Sequence, residues 1–242
     1  MQAQFERTAM LLGEEALERL ATKTVAVFGL GGVGGNVVDA LARTGIGRFV
    51  LVDGDAVAVS NINRQLIANM DTIGCDKVAA MAAHIGRINP AAVVEARKTF
   101  YLPDIADQFD FAVYDYVVDA IDTVSAKIDL AVRCCEAGVP LISAMGCGNK
   151  TDPSRLVVAD LFATQTDPLA KVMRRELRRR GIRSLKVVYS TEAPLTPLWQ
   201  PRDAAPGRRA TPASCAFVPP AAGIMLAAEV VKDLLSKDIN NS

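Results

Sequence analysis

No stretch of this chain approaches the about 20 apolar residues that a helix needs to cross a bilayer. Its most apolar run, Phe217 to Ala228, is interrupted by Pro219 and Pro220, so stable membrane insertion is not expected. The chain also lacks net charge, with 27 Lys and Arg against 27 Asp and Glu. That balance argues against a histone-like or tail-driven nucleic-acid binder and leaves room only for a local basic patch. The five cysteines, Cys75, Cys134, Cys135, Cys147 and Cys215, form no CxxC pair, so no four-thiolate zinc site is expected. Their odd number, with no uninterrupted signal-peptide core after Glu6 and Arg7, predicts reduced thiols and a cytoplasmic location. His84 is the only histidine and lies in an Ala-rich helical stretch, which makes it a poor general base. Cys134 and Cys135 point apart on a helix and read as packing residues.

What the chain does contain is 242 residues, half of them hydrophobic, enough for one large domain with a substantial core. Leu11, Leu12, Ala16, Leu17 and Leu20 predict a helix over 8–21. Two apolar runs, Thr24 to Phe28 and Arg48 to Val52, flank glycines and a helical pattern from Asn36 to Arg43. This is strand, glycine turn, helix, strand: a βαβ unit whose uniformly apolar strands suit a parallel sheet covered on both faces. Further helices are predicted over 75–88 and 124–137, and strands over 92–96, 116–120 and 140–144. The alternation is that of a Rossmann-like, doubly wound α/β sheet. Beyond residue 150 the pattern changes: strands at Leu156–Ala159 and Leu185–Tyr189 enclose a basic helix from Asp167 to Arg180, and a last helix covers 220–236. The reading is a single domain, 1–242, with a nucleotide-binding core at 22–150. A substrate or lid region fills 151–242, with a mobile loop at 194–213 that is rich in Pro, Arg and Ala.

Gly29-Leu30-Gly31-Gly32-Val33-Gly34 is GxGxxG in the context that gives it meaning, between a strand and a helix. Its amides can meet a phosphate at the positive end of the following helix. Asp53 stands 19 residues past Gly34 at the end of the next strand, where a carboxylate can accept the ribose hydroxyls. The plain alternative is a glycine turn kept for helix–strand packing, and nothing in the motif separates ATP from NAD. The next segment does. Asp55, Asn61, Asn63, Arg64 and Gln65 crowd close behind Asp53 and are superfluous for hydride transfer. A planar guanidinium that grips phosphate oxygens at two points suits a triphosphate and its departing pyrophosphate. Lys77 is a second candidate phosphate contact; for both cations a solvated surface charge is the alternative. Asp122, followed by Thr123, falls just past a strand end, where it could hold Mg²⁺. Asp119 reads as structural.

These residues together resemble the ThiF/MoeB/HesA adenylating family, bacterial relatives of ubiquitin-activating enzymes. The likeness rests on Gly29 to Gly34, Asp53-Gly54-Asp55, Ser60 to Gln65, Lys77 and Asp119-Ala120-Ile121-Asp122, and it spans nearly the whole chain. Gln4-Phe5-Glu6-Arg7 is similar to the family's aromatic-x-Arg entry. The resemblance implies a homodimer in which Arg7 reaches the partner subunit's site, with ATP and Mg²⁺ as cofactors. Several further segments are similar to one branch, the TcdA (CsdL) type that dehydrates threonylcarbamoyladenosine in tRNA. They are Gly45-Ile46-Gly47, Ile88-Asn89-Pro90, Gly148 to Pro153, Thr166 to Ala170, Tyr189 to Glu192 and Ala216 to Pro220.

That branch would adenylate the threonyl carboxylate with Arg7, Arg64, Lys77 and Asp122 as the catalytic set, and tRNA as partner. The alternative is activation of the C-terminus of a ubiquitin-like or sulfur-carrier protein. A third reading is a nucleotide-binding adaptor for a cysteine-desulfurase or sulfur-acceptor system. No cysteine lies between Ser190 and Ser214, where carrier activators would keep a transfer thiol; Cys147 is the thiol expected nearest the chemistry, although a small packing residue is the better reading of it. Finally, 174–186 holds seven basic residues and one acid. Arg174, Arg175, Arg178, Arg179, Arg180 and Arg183 are therefore candidate tRNA-backbone contacts, with a solvated helix face as the plain alternative.

Overall fold

The computed structural model describes residues 3–199 and 212–236. Seven strands share one sheet: β1 (Thr24–Phe28), β2 (Arg48–Val52), β3 (Val93–Arg97), β4 (Tyr116–Asp119), β5 (Leu141–Ala144), β6 (Leu156–Asp160) and β7 (Lys186–Ser190). Their order is β3-β2-β1-β4-β5-β7-β6, every neighbouring pair parallel except β6 with β7. Winding reverses between β1 and β4, so a crevice opens at their carboxyl ends, where open α/β sheets bind ligands.

The unalternating apolar runs follow from two covered faces. Val25 and Val27 pack into one core with helices α3 (Gly34–Thr44), α4 (Lys77–Ile88) and α7 (Val218–Ser236). Ala26 and Phe28 face the other way, with Tyr101, Phe109, Phe111, Tyr114 and the buried side of α5 (Val124–Ala137). The Phe28 ring stands edge-on to Tyr101 at 5.0 Å, a geometry favoured by the aromatic quadrupole. A third cluster joins α5 to α6 (Pro168–Arg179) through Ala131, Met173 and Leu177.

Two expectations need correction. The single helix over 8–21 is two, α1 (Glu6–Leu12) and α2 (Glu14–Thr22). Gly13 separates them at φ 91°, ψ 154°, a backbone open to glycine and closed to the helix, so apolar periodicity runs on through a real break. The helix expected from Cys75 starts at Lys77, because the Cys75 carbonyl accepts from Val57 N (2.8 Å) and Ala56 bridges Asp76. Beyond residue 150, β7 continues the parallel order beside β5, β6 closes the edge, and α7 returns to pack on α3. Most of the expected loop at 194–213 lies outside the described residues.

Candidate active site

Backbone geometry builds the phosphate loop. Gly29 adopts φ 90°, and a Cβ there would stand 2.6 Å from the Ala120 carbonyl oxygen; at Gly34 it would stand 1.8 Å from the Gly29 oxygen. Both positions therefore exclude any side chain, and the loop lies directly against the end of β4. Gly32 and Gly34 lead into α3, where Gly35 N already donates to the Gly31 carbonyl at 3.0 Å and Asn36 N to the Val33 carbonyl at 3.1 Å, so the amides left for a phosphate are those of the glycine loop before them. Asp53 fixes this loop to β2: its side chain is 8% exposed and accepts from Leu30 N at 2.7 Å and Asp55 N at 2.8 Å. Carboxylate oxygens accept more than one bond each, so lone pairs remain for a ribose hydroxyl.

Lys77 opens α4 and is buried. Its ammonium sits 2.7 Å from Asp55 and 3.8 Å from Asp53, which satisfies part of a charge that burial alone would oppose. Arg64 runs along the glycine loop, its Cγ 3.3 Å from where a Gly32 Cβ would be. Its Nη1 donates to the Ser60 carbonyl and to Asn63 Oδ1, both at 3.0 Å. Gln65 is buried beside Gly31, and its Oε1 has no hydrogen-bond partner among the described residues. Asn61 accepts from Ala58 N through Oδ1 at 3.1 Å and so shapes the loop that carries Arg64. Asp122 is exposed at the mouth, with the Thr123 hydroxyl 3.5 Å away.

The structure thus gathers the glycine loop, Asp53, Asp55, Arg64, Gln65 and Lys77 at one end of the sheet, with Asp122 and Thr123 across the crevice. It does not bring Arg7 there. Phe5 and Leu17 pack within 4 Å of where a Gly45 Cβ would be, so α1 and α2 cover the amino ends of the strands. Five-residue strands are about 17 Å long, beyond the reach of an arginine from the opposite end. A cleft of about 250 Å³ at that end, lined by Phe5, Glu14, Leu17 and Asn89, lies away from all the phosphate-facing groups.

Reading the sequence missed the supports under these groups. Lys127 is fully buried and pairs with Asp119 at 2.9 Å; it also donates to the Ile121 carbonyl at 3.0 Å. Ser143 donates to the same Asp119 oxygen at 2.5 Å. The pair ties β4 and β5 to the first turn of α5, directly behind Asp122. The signal was available: Lys127 falls with Ala126, Leu130, Ala131 and Cys134 on the helix face that is otherwise apolar. Lys150 and Asp167 form a second buried pair at 3.0 Å. Phe100 is exposed, its ring within 2.6 Å of where a Gly54 Cβ would be, and so it walls the crevice beside Asp53. Cys147 is buried, and loss of solvation pushes its thiol up to about 11, against a thiolate role at neutral pH.

On α6, Arg175, Arg179 and Arg180 converge on Glu176 at 2.9, 3.3 and 3.1 Å, holding its carboxyl below the usual range. Arg174 bonds the Thr164 carbonyl at 2.9 Å, Arg178 lies over the Phe162 ring, and Arg183 is exposed. Lys171, Arg174, Arg175, Arg178 and Arg179 line a groove of about 540 Å³.

A family model described as the ThiF family matches residues 5–242. The chain belongs to the ThiF family. Among its ThiF-family relatives, the tRNA threonylcarbamoyladenosine dehydratase of Bacillus subtilis (strain 168) is 47% identical over 244 residues, covering 98% of this chain and 96% of that protein. The protein of the same name from Escherichia coli (strain K12) is 40% identical over 201 residues, covering 80% and 75%. Among solved structures, the E. coli dehydratase TcdA in complex with ATP superposes with a TM-score of 0.88 at 35% identity, over 99% of this chain and 96% of that one. The ThiF-type fold of this chain is the one those structures carry, a mostly parallel seven-stranded sheet with helices on both faces.

Proposed function

We propose that the protein uses ATP to adenylate the threonyl carboxylate of threonylcarbamoyladenosine in tRNA and closes it to a ring. The observation that carries this reading is end-to-end similarity to dehydratases of that name, combined with Arg64 and Gln65 lying along the phosphate loop. A carboxylate oxygen attacks the α-phosphorus, the bond to the β-phosphate breaks, and pyrophosphate leaves with the electron pair. Arg64, Lys77 and the amides of the glycine loop stabilise the charge growing on the phosphates, the work such preorganised donors do best in a water-poor site. Lys77 turns from Asp55 toward the nucleotide without losing its partner, because an ammonium has three donors. Asp53 accepts the ribose hydroxyls, Phe100 flanks the base, and Asn61 and Asn63 hold the Arg64 loop.

Asp122, with Thr123 beside it, fits a Mg²⁺ brought in by ATP: that ion keeps several waters and takes one or two carboxylates plus phosphate. When bound, it neutralises phosphate charge. The carbamoyl oxygen then attacks the acyl carbon, AMP departs, and a proton leaves the carbamoyl nitrogen. Holding both groups on one substrate makes a protein nucleophile unnecessary, which agrees with the protonated, buried Cys147. The protein acts in the cytoplasm as a homodimer: Arg7 lies at the wrong end of its own sheet, and Met10 and Leu11 beside it are 82% and 83% exposed. The groove on α6 takes the tRNA backbone.

AMP release from ATP tests the reading. It should require tRNA bearing threonylcarbamoyladenosine and should ignore a small carrier protein ending in a free carboxylate. Stimulation by the carrier alone would move the protein to the alternative activity, and ATP binding without AMP release would leave an adaptor.

A further inference from the structure

Behind Asp122 the main chain is tied down on two sides. Toward the glycine loop, Ala120 N donates to the Phe28 carbonyl at 2.8 Å, and the Ala120 carbonyl oxygen would stand 2.6 Å from a Gly29 Cβ. Toward α5, Ile121 N donates to Asp119 Oδ1 at 3.1 Å, and the Ile121 carbonyl accepts from Lys127 Nζ at 3.0 Å. The other Asp119 oxygen takes Lys127 Nζ at 2.9 Å and the Ser143 hydroxyl at 2.5 Å. Asp119, Lys127 and Ser143 are all fully buried. Lys127 thus reaches back past the start of its own helix to the carbonyl just before Asp122. Asp122 itself is exposed, with the Thr123 hydroxyl 3.5 Å away, so burial does not fix it.

Stability does not account for this arrangement, because two apolar side chains of similar volume commonly hold a fold as well as a buried ion pair does. What they could not supply is an acceptor for Ile121 N and a donor to its carbonyl, the two bonds that fix the turn from which Asp122 projects. We propose that Lys127 and Asp119 are positioning residues for Asp122, keeping its carboxylate in register with the glycine loop for the Mg²⁺ that ATP brings. The inference rests on the assignment of Asp122 to that ion above. Mg²⁺ tolerates little departure from octahedral geometry, so a carboxylate on an unheld turn serves it poorly. Removing groups that orient a metal ligand from behind costs about 10- to 100-fold in metal affinity. The pair does this through the main chain of Ile121, away from the nucleotide.

Replacing both ions together separates positioning from packing. ATP binding to the full-length protein is measured by calorimetry without Mg²⁺ and in saturating Mg²⁺, with denaturant stability alongside. The variants are Lys127→Met combined with Asp119→Leu, Ser143→Ala, and Asp122→Asn. In the double variant, which keeps the site filled, Kd for ATP in Mg²⁺ should rise about tenfold, while Kd without Mg²⁺ stays within about twofold. Ser143→Ala removes one hydrogen bond to Asp119 and no charge, and should raise Kd in Mg²⁺ about threefold. It carries the test alone if the double variant does not fold. An unchanged Kd in Mg²⁺ for the folded double variant, or for Ser143→Ala in its place, overturns the proposal. So does equal weakening with and without Mg²⁺, the mark of a purely structural role. If Asp122→Asn leaves both Kd values at wild type, the Mg²⁺ assignment itself falls, and the proposal with it.

Discussion

Lys127 and Asp119 meet at 2.9 Å with almost no exposed surface, whereas the exposed Arg175, Arg179 and Arg180 surround a part-buried Glu176 at the surface of α6. Both are clusters of charge, yet they obey different rules. Beneath the phosphate loop each charge has a designated partner, because an unpaired ion in a dry interior is expensive, and position is fixed to a fraction of an ångström. On α6 one carboxylate serves three guanidiniums, salt screens them all, and what survives is a local field. The first arrangement suits bond-making on a phosphate; the second suits loose attraction of a polyanion.

The sharpest way to break this contrast is to remove one member of each cluster. Lys127→Met leaves Asp119 buried without its cation and should cost about 3–5 kcal/mol of stability in denaturant titration. Lys127→Met with Asp119→Leu should recover a large part of that loss. Neutralising Glu176 on α6 should cost far less stability, because the three guanidiniums it pairs with remain in water. If Lys127→Met were as mild, the buried pair would not be what holds the Asp122 loop.

Next in size is Arg64→Ala, which removes a charged donor from the departing pyrophosphate while leaving the fold intact. AMP formation should fall about a hundredfold, roughly 3 kcal/mol of transition-state stabilisation. A folded variant working at the parental rate would show that Arg64 lies along the glycine loop without serving the phosphates. Smaller still is the effect of replacing Arg178, Arg179 and Arg183 together by Ala. The log–log salt dependence of tRNA binding should flatten by about one unit for each phosphate that is no longer neutralised, with ATP affinity unchanged. An unaltered slope would make α6 a solvated face and nothing more.

The smallest effect belongs to the thiols. Burial pushes the Cys147 thiol up to about 11, so it stays protonated below pH 9 and gains nucleophilicity only as pH approaches that value. Cys147→Ala and Cys215→Ala, singly and together, should retain tRNA cyclisation within about tenfold, the allowance being for weakened packing. No thioester to a small carrier protein should be trapped on non-reducing gels. A reductant-sensitive adduct that vanishes with either substitution would favour carrier activation.

The same contrast explains how much of the molecule is legible in its sequence. Strands without alternation announce a parallel sheet covered on both faces, and Gly29 to Gly34 between strand and helix announce the loop. These are local signals, written in consecutive residues. Gly13 escapes notice because the flanking apolar spacing continues across it, although its backbone at φ 91° cannot. The sheet's second half is harder to read because regular strand–helix alternation stops after residue 150 and a stretch rich in Pro, Arg and Ala follows. Lys127–Asp119 and Lys150–Asp167 join residues distant in sequence: a lysine on the otherwise apolar face of α5 marks a buried charge, but spacing carries no trace of its partner. Arg7 is legible only through family resemblance; its own fold puts it at the far end of the sheet.

The central claim is chemical, and mass spectrometry of tRNA nucleosides reads it directly. Purified protein is incubated with ATP, Mg²⁺ and tRNA carrying threonylcarbamoyladenosine, and the nucleosides are released under conditions too mild to reopen a ring. The account predicts conversion to a nucleoside lighter by one water, matched mole for mole by AMP and abolished when ATP is omitted. Recovery of unchanged threonylcarbamoyladenosine from a folded, ATP-binding protein would contradict it.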